Sequence, residues 1–294
     1  MSVKFDFMSI VIHPFLEPGS GSYSFVVANP ESHTCAIIDA ALGICPTGNA
    51  INTDSADSML DWIKAHKFVV RWILETHVHA DRPSAASYLK SHLLCAQTAI
   101  GALTPNISGY DILLREGDKI CLDHECGLVL ETPGHTPGCV SFQFGDFLFV
   151  GDTLFMPDIG TARCDFPGGS AEQLYGSIQR LLALPEETRL FVCHDYGADG
   201  KSDNGRSGRR CRFVTTVAEE KAYNVHVGGA AKIEKFVQMR TQRDDTLAAP
   251  KWQEVAIPAN LNCLPVSAVE KLIATTTQSQ SKIARSAEET SISR

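Results

Sequence analysis

Apolar residues in this chain fall into short runs, each closed by polar or turn-forming residues. SYSFVVA (22–28) and TCAIIDA (34–40) are rich in β-branched and aromatic residues and read as strands. A loop containing Gly, Pro and Asn covers 41–55. A helix is expected next, capped by Asp57 or Ser55, because Met59, Leu60, Ile63 and Ala65 recur at helical spacing. FVVRWILET (68–76) reads as a strongly buried strand, followed by a polar loop over 77–83 and a helix over 84–93. Further strands are expected at 127–132, 139–144 and 147–152. A helix over 170–184 begins with a capping box, Ser170 and Gln173. A strand over 189–195 follows, then a loop rich in Gly, Ser and Arg over 197–213 and helices over 216–227 and 230–243. From about Ala274 the chain is polar and low in complexity, and a disordered tail is expected.

The 294 residues are 44% hydrophobic and 20% charged, enough apolar material for a sizeable core and too much for a chain disordered throughout. No short repeat supports a collagen or coiled-coil reading. Lys and Arg total 26 against 34 Asp and Glu, a net charge of −8. An acidic chain without a long basic stripe is a poor ligand for phosphate backbones, so no nucleic-acid partner is expected. No apolar run reaches the roughly 18–20 residues of a membrane span, and no membrane partner is expected. The opening residues lack the layout of a signal or transit peptide. A cytoplasmic location is expected, with a mitochondrial one left open. The ten cysteines are scattered, several in apolar runs, and are expected to be reduced and buried.

Four polar clusters sit at the ends of apolar runs: His77, His79, Asp81 and Arg82; Gly134, His135 and Thr136; Gly151, Asp152 and Thr153; Cys193, His194, Asp195 and Tyr196. Loops at strand ends place reactive groups on a rigid base. Imidazole and carboxylate are ligands for zinc and iron. A lone His-x-His pair is as well explained by a surface loop. Four clusters in succession point to a metal site.

In their order and separation, THVHADR, TPGHTPG, FVGDT and CHDY resemble the metallo-β-lactamase fold superfamily. The run GDTLFMPDIGTARCDFPGG narrows the resemblance to the persulfide dioxygenases and their glyoxalase II-related neighbours. The likeness extends from about Phe5 to Pro265 and weakens over 97–119 and 200–213. It implies an α+β fold, an αββα four-layer sandwich with a helical C-terminal extension. It divides the chain into a catalytic domain over 1–228, an extension over 229–273 that packs on it, and the tail over 274–294.

The resemblance also implies a non-haem iron enzyme that oxidises glutathione persulfide with O2 to sulfite. His77, His135 and Asp152 would hold one Fe2+, with Zn2+ as the alternative ion. His79 would be a fourth ligand or a donor beside the metal. His194 would stand near the metal without binding it. Asp81 would orient a histidine or pair with Arg82, with ligation of a second metal as the alternative, and Tyr196 would hydrogen-bond substrate or pack. Arg163 and Asp165 would hold substrate charges or each other. Cys164, lying between them, has no activating neighbour and is not expected to be a nucleophile. Arg206, Arg209, Arg210 and Arg212 form a basic loop, solvated or attractive to an anionic substrate. Arg82 stands where the superfamily places a histidine for a second metal. Guanidinium offers no lone pair, so one metal is expected, with Arg82 close to the second site and paired with Asp81. The implied partners are a small thiol or persulfide and O2, and a homodimer is left open. Two other functions stay in view, a glyoxalase II-like hydrolase of a thioester or other ester and a non-catalytic persulfide-binding module.

Overall fold

The computed structural model describes residues 3–4, 10–45, 50–195 and 211–278. In chain order the first half supplies β1 (Val3–Lys4), β2 (Val11–Glu17), β3 (Ser22–Asn29), β4 (Thr34–Ile38), a ribbon of β5 (Gly43–Ile44) and β6 (Ile51–Asn52), α1 (Asp54–Ala65), β7 (Val69–Leu74), α2 (Ala86–His92), β8 (Gln97–Gly101) and β9 (Ile112–Leu114). All but the ribbon strands form a seven-stranded sheet in the order β1-β2-β3-β4-β7-β8-β9. The second half supplies β10 (Lys119–Leu122), β11 (Glu125–Glu131), β12 (Val140–Phe144), β13 (Phe147–Gly151), α3 (Ala171–Leu182), β14 (Arg189–Val192) and β15 (Val214–Thr216), a six-stranded sheet in chain order. α4 (Val217–Tyr223), α5 (Ile233–Asp244), α6 (Gln253–Leu261) and a helix over 266–278 complete the described chain.

Period-two alternation explains the layers. In β3, Phe25 and Val27 face the second sheet, where they meet Phe142, Phe149 and Phe191. Val26 and Ala28 face the opposite way, onto Met59, Ile63 and Leu89 of α1 and α2. The strand is buried on both faces, so it reads as one continuous apolar run. The second sheet repeats the scheme: Leu148, Val150 and Leu190 turn away from the central core onto Leu174, Ile178 and Leu181 of α3. Helices therefore cover both outer faces of two packed sheets, the expected αββα sandwich.

The strand connections place the chemistry. β4, β7 and β8 run parallel, as do β13 and β14. The loops after β4 and β7 thus leave the first sheet at one edge, and those after β13 and β14 leave the second.

Local details differ from the sequence expectation. α1 starts at Asp54 rather than after Ser55 or Asp57; its N-cap is Thr53, whose hydroxyl bonds the Asp57 carboxylate at 2.7 Å. Ser170 does cap α3, accepting from the Gln173 N–H at 3.2 Å. Residues 274–278, assigned to the tail by composition, continue a helix whose Val269 and Ile273 are buried against Val255 and Ala259 of α6. Residues 279–294 lie outside the described residues. Cys121 and Cys126 do not follow the expectation of reduced thiols. They are cross-strand partners in the β10–β11 hairpin and form a disulfide, because the tight turn through Asp123 (φ 63°) brings positions five apart into register. Cys35, Cys139, Cys164 and Cys193 are free and buried.

Phe142 is fully buried and stands opposite Phe149 across β12 and β13. Phe142→Ala removes a ring that fills the space between the sheets. It is expected to cost about 3–5 kcal/mol of stability, measured by chemical denaturation.

Candidate metal centre

The site is built on a buried carboxylate. Asp39 lies just past the end of β4 with φ 53°, and its side chain reaches the loop that follows β7. Oδ1 accepts from the Thr76 N–H at 2.7 Å and Oδ2 from the Thr76 hydroxyl at 2.8 Å. Thr76 has one hydroxyl proton, and Asp39 takes it. The Thr76 oxygen, 2.9 Å from His77 Nδ1, therefore accepts from that nitrogen. His77 Nε2 is left with its lone pair facing the site. His135 is set in the same way: Nδ1 donates to the Arg163 carbonyl at 2.7 Å, leaving Nε2 as the acceptor.

Asp152 completes a cluster. Its Oδ2 is 3.8 Å from both His77 Nε2 and His135 Nε2, and the three donor atoms lie within 4.8 Å of one another. Such spacings leave room for a cation at roughly 2.0–2.2 Å from each donor. Asp152 Oδ1 is buried and makes no hydrogen bond. Burial pushes the Asp152 carboxyl up, although His194 and His135 pull it back. Burial, with the neighbouring cationic groups, holds His77 and His79 well below the usual imidazole range, so both rings are neutral, the form that binds metal. Neutral imidazoles with converging lone pairs and an under-satisfied carboxylate fit a divalent metal. Gly151 permits the arrangement: its φ is 51°, and a Cβ there would meet Thr76 Oγ1 at 2.4 Å.

His79 presents its other nitrogen. Nε2 lies 3.2 Å from both Asp39 Oδ1 and Glu75 Oε2 and 3.3 Å from Arg82 Nη2, while Nδ1 is buried with no hydrogen bond. An imidazole tied through Nε2 with Nδ1 unsatisfied can serve as a further ligand. His194 and Asp81 stand on the other side of Asp152. His194 Nε2 is 3.6 Å from Asp152 Oδ1 and 3.6 Å from Asp81 Oδ2, and Asp81 also accepts from Ser22 Oγ at 3.3 Å. Burial raises the Asp81 carboxyl, but His194, Arg82 and His79 outweigh it and hold the group below its ordinary value.

Arg82 does not take the place expected of it. It is 1% exposed and turned beneath the loop, donating to the Asp39 carbonyl at 2.8 Å and the Ala40 carbonyl at 3.2 Å. Asp81 instead faces His194 and Ser22. The carbonyls at the end of β4 offer a planar fork two acceptors at once, and the charge rests near the Asp39 and Glu75 carboxylates. Its Nη2 also lies 3.3 Å from His79 Nε2 and 3.9 Å from Cys193 Sγ. What survives of the one-metal expectation is that Arg82 supplies no donor lone pair.

A cavity of about 370 Å3 opens over Asp152, His135, His194 and Asp81. Phe155, Ile159, Phe166, Leu247 and Pro250 give it apolar walls. Three arginines also line it. Arg163 is held by Asp165 at 2.6 and 2.5 Å and by the Ala248 carbonyl at 2.8 Å, so these two residues partner each other. Arg240 is held by Asp244 at 2.9 and 2.6 Å and by the Thr161 carbonyl at 3.1 Å. Arg243 makes no ion pair or side-chain hydrogen bond among the described residues. Burial pushes the Cys164 thiol up to about 12, which leaves it inert. Tyr196, Arg206, Arg209 and Arg210 lie outside the described residues, and Arg212 pairs with Glu219 at 3.3 Å. Sequence reasoning missed Asp39, Glu75, Arg240, Arg243 and Asn260. Only Asp39 carried a signal, an acid closing an apolar strand.

Residues 17–194 match the family model described as the metallo-beta-lactamase superfamily. A Dictyostelium discoideum protein named glyoxylase B2 is 37% identical over 86% of this chain and 89% of its own. A beta-lactamase hydrolase-like protein of Agrobacterium fabrum is 41% identical over 85% of this chain, which spans only 60% of that relative. The mitochondrial persulfide dioxygenase ETHE1 of Mus musculus is 30% identical over 86% of this chain and 89% of its own. The crystal structure of ETHE1 from Myxococcus xanthus superposes with a TM-score of 0.71 at 29% identity, covering 86% of this chain and 98% of that one.

Two substitutions probe the centre. His135→Ala is expected to abolish stoichiometric metal binding, read by elemental analysis, while circular dichroism stays native. Arg82→Ala strands the carbonyls and carboxylates gathered around the guanidinium. It is expected to cost about 3–5 kcal/mol in urea unfolding.

Proposed function

Since the chain belongs to the metallo-β-lactamase superfamily, we propose that it is a metal-dependent oxidoreductase that converts a low-molecular-weight persulfide and O2 to sulfite, with one iron per chain. The observation that carries this reading is the meeting of His77 Nε2, His135 Nε2 and Asp152 Oδ2, of which His135 and Asp152 line an open cavity. Two imidazoles and one carboxylate on one side of an ion leave positions for other ligands, an arrangement typical of non-haem Fe(II) oxygenases. Bound iron would supply the redox chemistry that O2 requires and zinc lacks. The persulfide dioxygenase relative and the ETHE1 structure support the reading.

The chain's own residues would do the rest. His77 and His135 keep their lone pairs directed inward because Thr76 and the Arg163 carbonyl take their Nδ1 protons. Phe155, Ile159 and Phe166 exclude water from the sulfur-bearing end of a substrate. His194, beside Asp81, is placed to hold a proton at Nε2. Arg243, the wall arginine with open donors among the described residues, suits an anionic group such as a carboxylate of glutathione persulfide. The overall change balances as one persulfide, one O2 and one water giving one thiol and one sulfurous acid, which ionises to sulfite. A cytoplasmic location belongs to the proposal; the mouse relative is named as mitochondrial.

The second reading is hydrolysis of a glutathione thioester. It is favoured by the names of the relatives at 37% and 41% identity. Metal-loaded protein should consume O2 with glutathione persulfide and form one sulfite per O2. Thioester cleavage without O2 by protein holding two tight metals would replace the first reading with the second. Arg243→Gln is expected to raise KM for glutathione persulfide about tenfold with kcat little changed, the result of losing one charge-assisted contact.

A further inference from the structure

The loop over 77–84 carries His77, His79 and Asp81 but has little regular hydrogen bonding of its own. Its backbone ties to the strand side are the Leu42 N–H to the Pro83 carbonyl at 3.0 Å and the Ala85 N–H to the Ala40 carbonyl at 2.8 Å. On the other side one side chain holds it. Asn260, near the end of α6 and 3% exposed, donates through Nδ2 to the His79 carbonyl at 2.8 Å and to the Arg82 carbonyl at 2.9 Å. Its Oδ1 accepts from the Ser84 N–H at 2.7 Å. The two carbonyls bracket Asp81. Both amide protons and one acceptor position are thus used on a single loop.

Asn260 is itself held from behind. The Tyr110 hydroxyl donates to its carbonyl at 3.1 Å, and the Ser108 N–H donates to the Leu261 carbonyl at 2.8 Å. Gly109 packs so closely there that a Cβ would meet the Asn262 carbonyl oxygen at 2.4 Å. The clamp is therefore rigid on both sides.

We propose that Asn260 is a positioning residue of the metal centre, its side-chain amide fixing the backbone between His79 and Ser84 so that the donors on that loop keep their places. The inference rests on the metal-centre reading of His77, His135 and Asp152. It makes the C-terminal helical segment part of the site, acting through backbone groups rather than by touching the ion. Groups one shell removed from a metal are worth about 10–100-fold in affinity.

Zinc affinity measured by competition with a chromophoric chelator tests this, alongside the melting temperature of the metal-free protein. Asn260→Ala removes all three bonds; Asn260→Asp keeps an acceptor for Ser84 and loses both donors. Val269→Ala, in the same C-terminal cluster, is the control for simple destabilisation. Both Asn260 variants should bind zinc at least tenfold more weakly, while Val269→Ala binds as the wild type does even where its melting temperature falls as far. Wild-type affinity in the Asn260 variants, or an equal loss in Val269→Ala, overturns the proposal. Hydrogen exchange on the wild type decides the case even if the Asn260 variants do not fold. Zinc should slow exchange at Ser84 and across 253–261, and unchanged exchange over 253–261 overturns the proposal. A wild-type chain that binds no zinc overturns the metal-centre reading itself, and this inference with it.

Discussion

A carboxylate shut away from water at a strand end needs donors around it, and Asp39 finds them all on the loop that carries the metal candidates. It takes the backbone N–H and the hydroxyl of Thr76 and stands 3.2 Å from His79 Nε2. Those contacts choose the tautomers. Because Thr76 spends its proton on Asp39, His77 must donate through Nδ1 and present Nε2. Because Asp39 Oδ1 and Arg82 Nη2 both stand against His79 Nε2, only Nδ1 is left over. The orientation of both imidazoles follows from one side chain that never reaches the cavity.

The charge beneath the site is balanced in the same economical way. Glu75 is raised by burial and by Asp39, and lowered by Arg82 and by the hydroxyl of Ser84, which donates to Oε1 at 2.5 Å. Arg82 supplies the positive charge for this acidic pocket and fastens the end of β4 through two carbonyls. Buried ionic groups of this kind contribute little net stability compared with apolar packing, and their value here lies in fixing geometry. Above the site the same logic leaves Arg163 and Arg240 neutralised by Asp165 and Asp244. The cavity thus gains shape from those two arginines and open charge from Arg243.

Most of the long strands and the four polar clusters were legible in local pattern, as apolar runs of strand length each stopped by a polar cluster; the sandwich came from the resemblance alone. The resemblance carried by TARCDF and its neighbours added the fold family. β8, β9 and β10 were not foreseen as strands, since Gln97–Gly101 and Ile112–Leu114 are short and carry no sustained alternation. The disulfide depended on hairpin register, which spacing alone does not fix. The Arg82 partner was misjudged because the adjacent acid, Asp81, was nearer in sequence than the carbonyls of Asp39 and Ala40 are. Asn260 and Arg243 gave no sign at all; their roles exist only once distant segments have packed.

The bonds from Asn260 to the loop join residues 176 to 181 positions apart. Chains are made from the N-terminus, and their early parts can fold while later parts are still being added. Both sheets are complete by Thr216, so the strands and every metal candidate exist well before α6 does. Until α6 is made, the histidines would stand on a loop fastened from the strand side alone. The order of synthesis thus delays the fastening of that loop until α6 has been made.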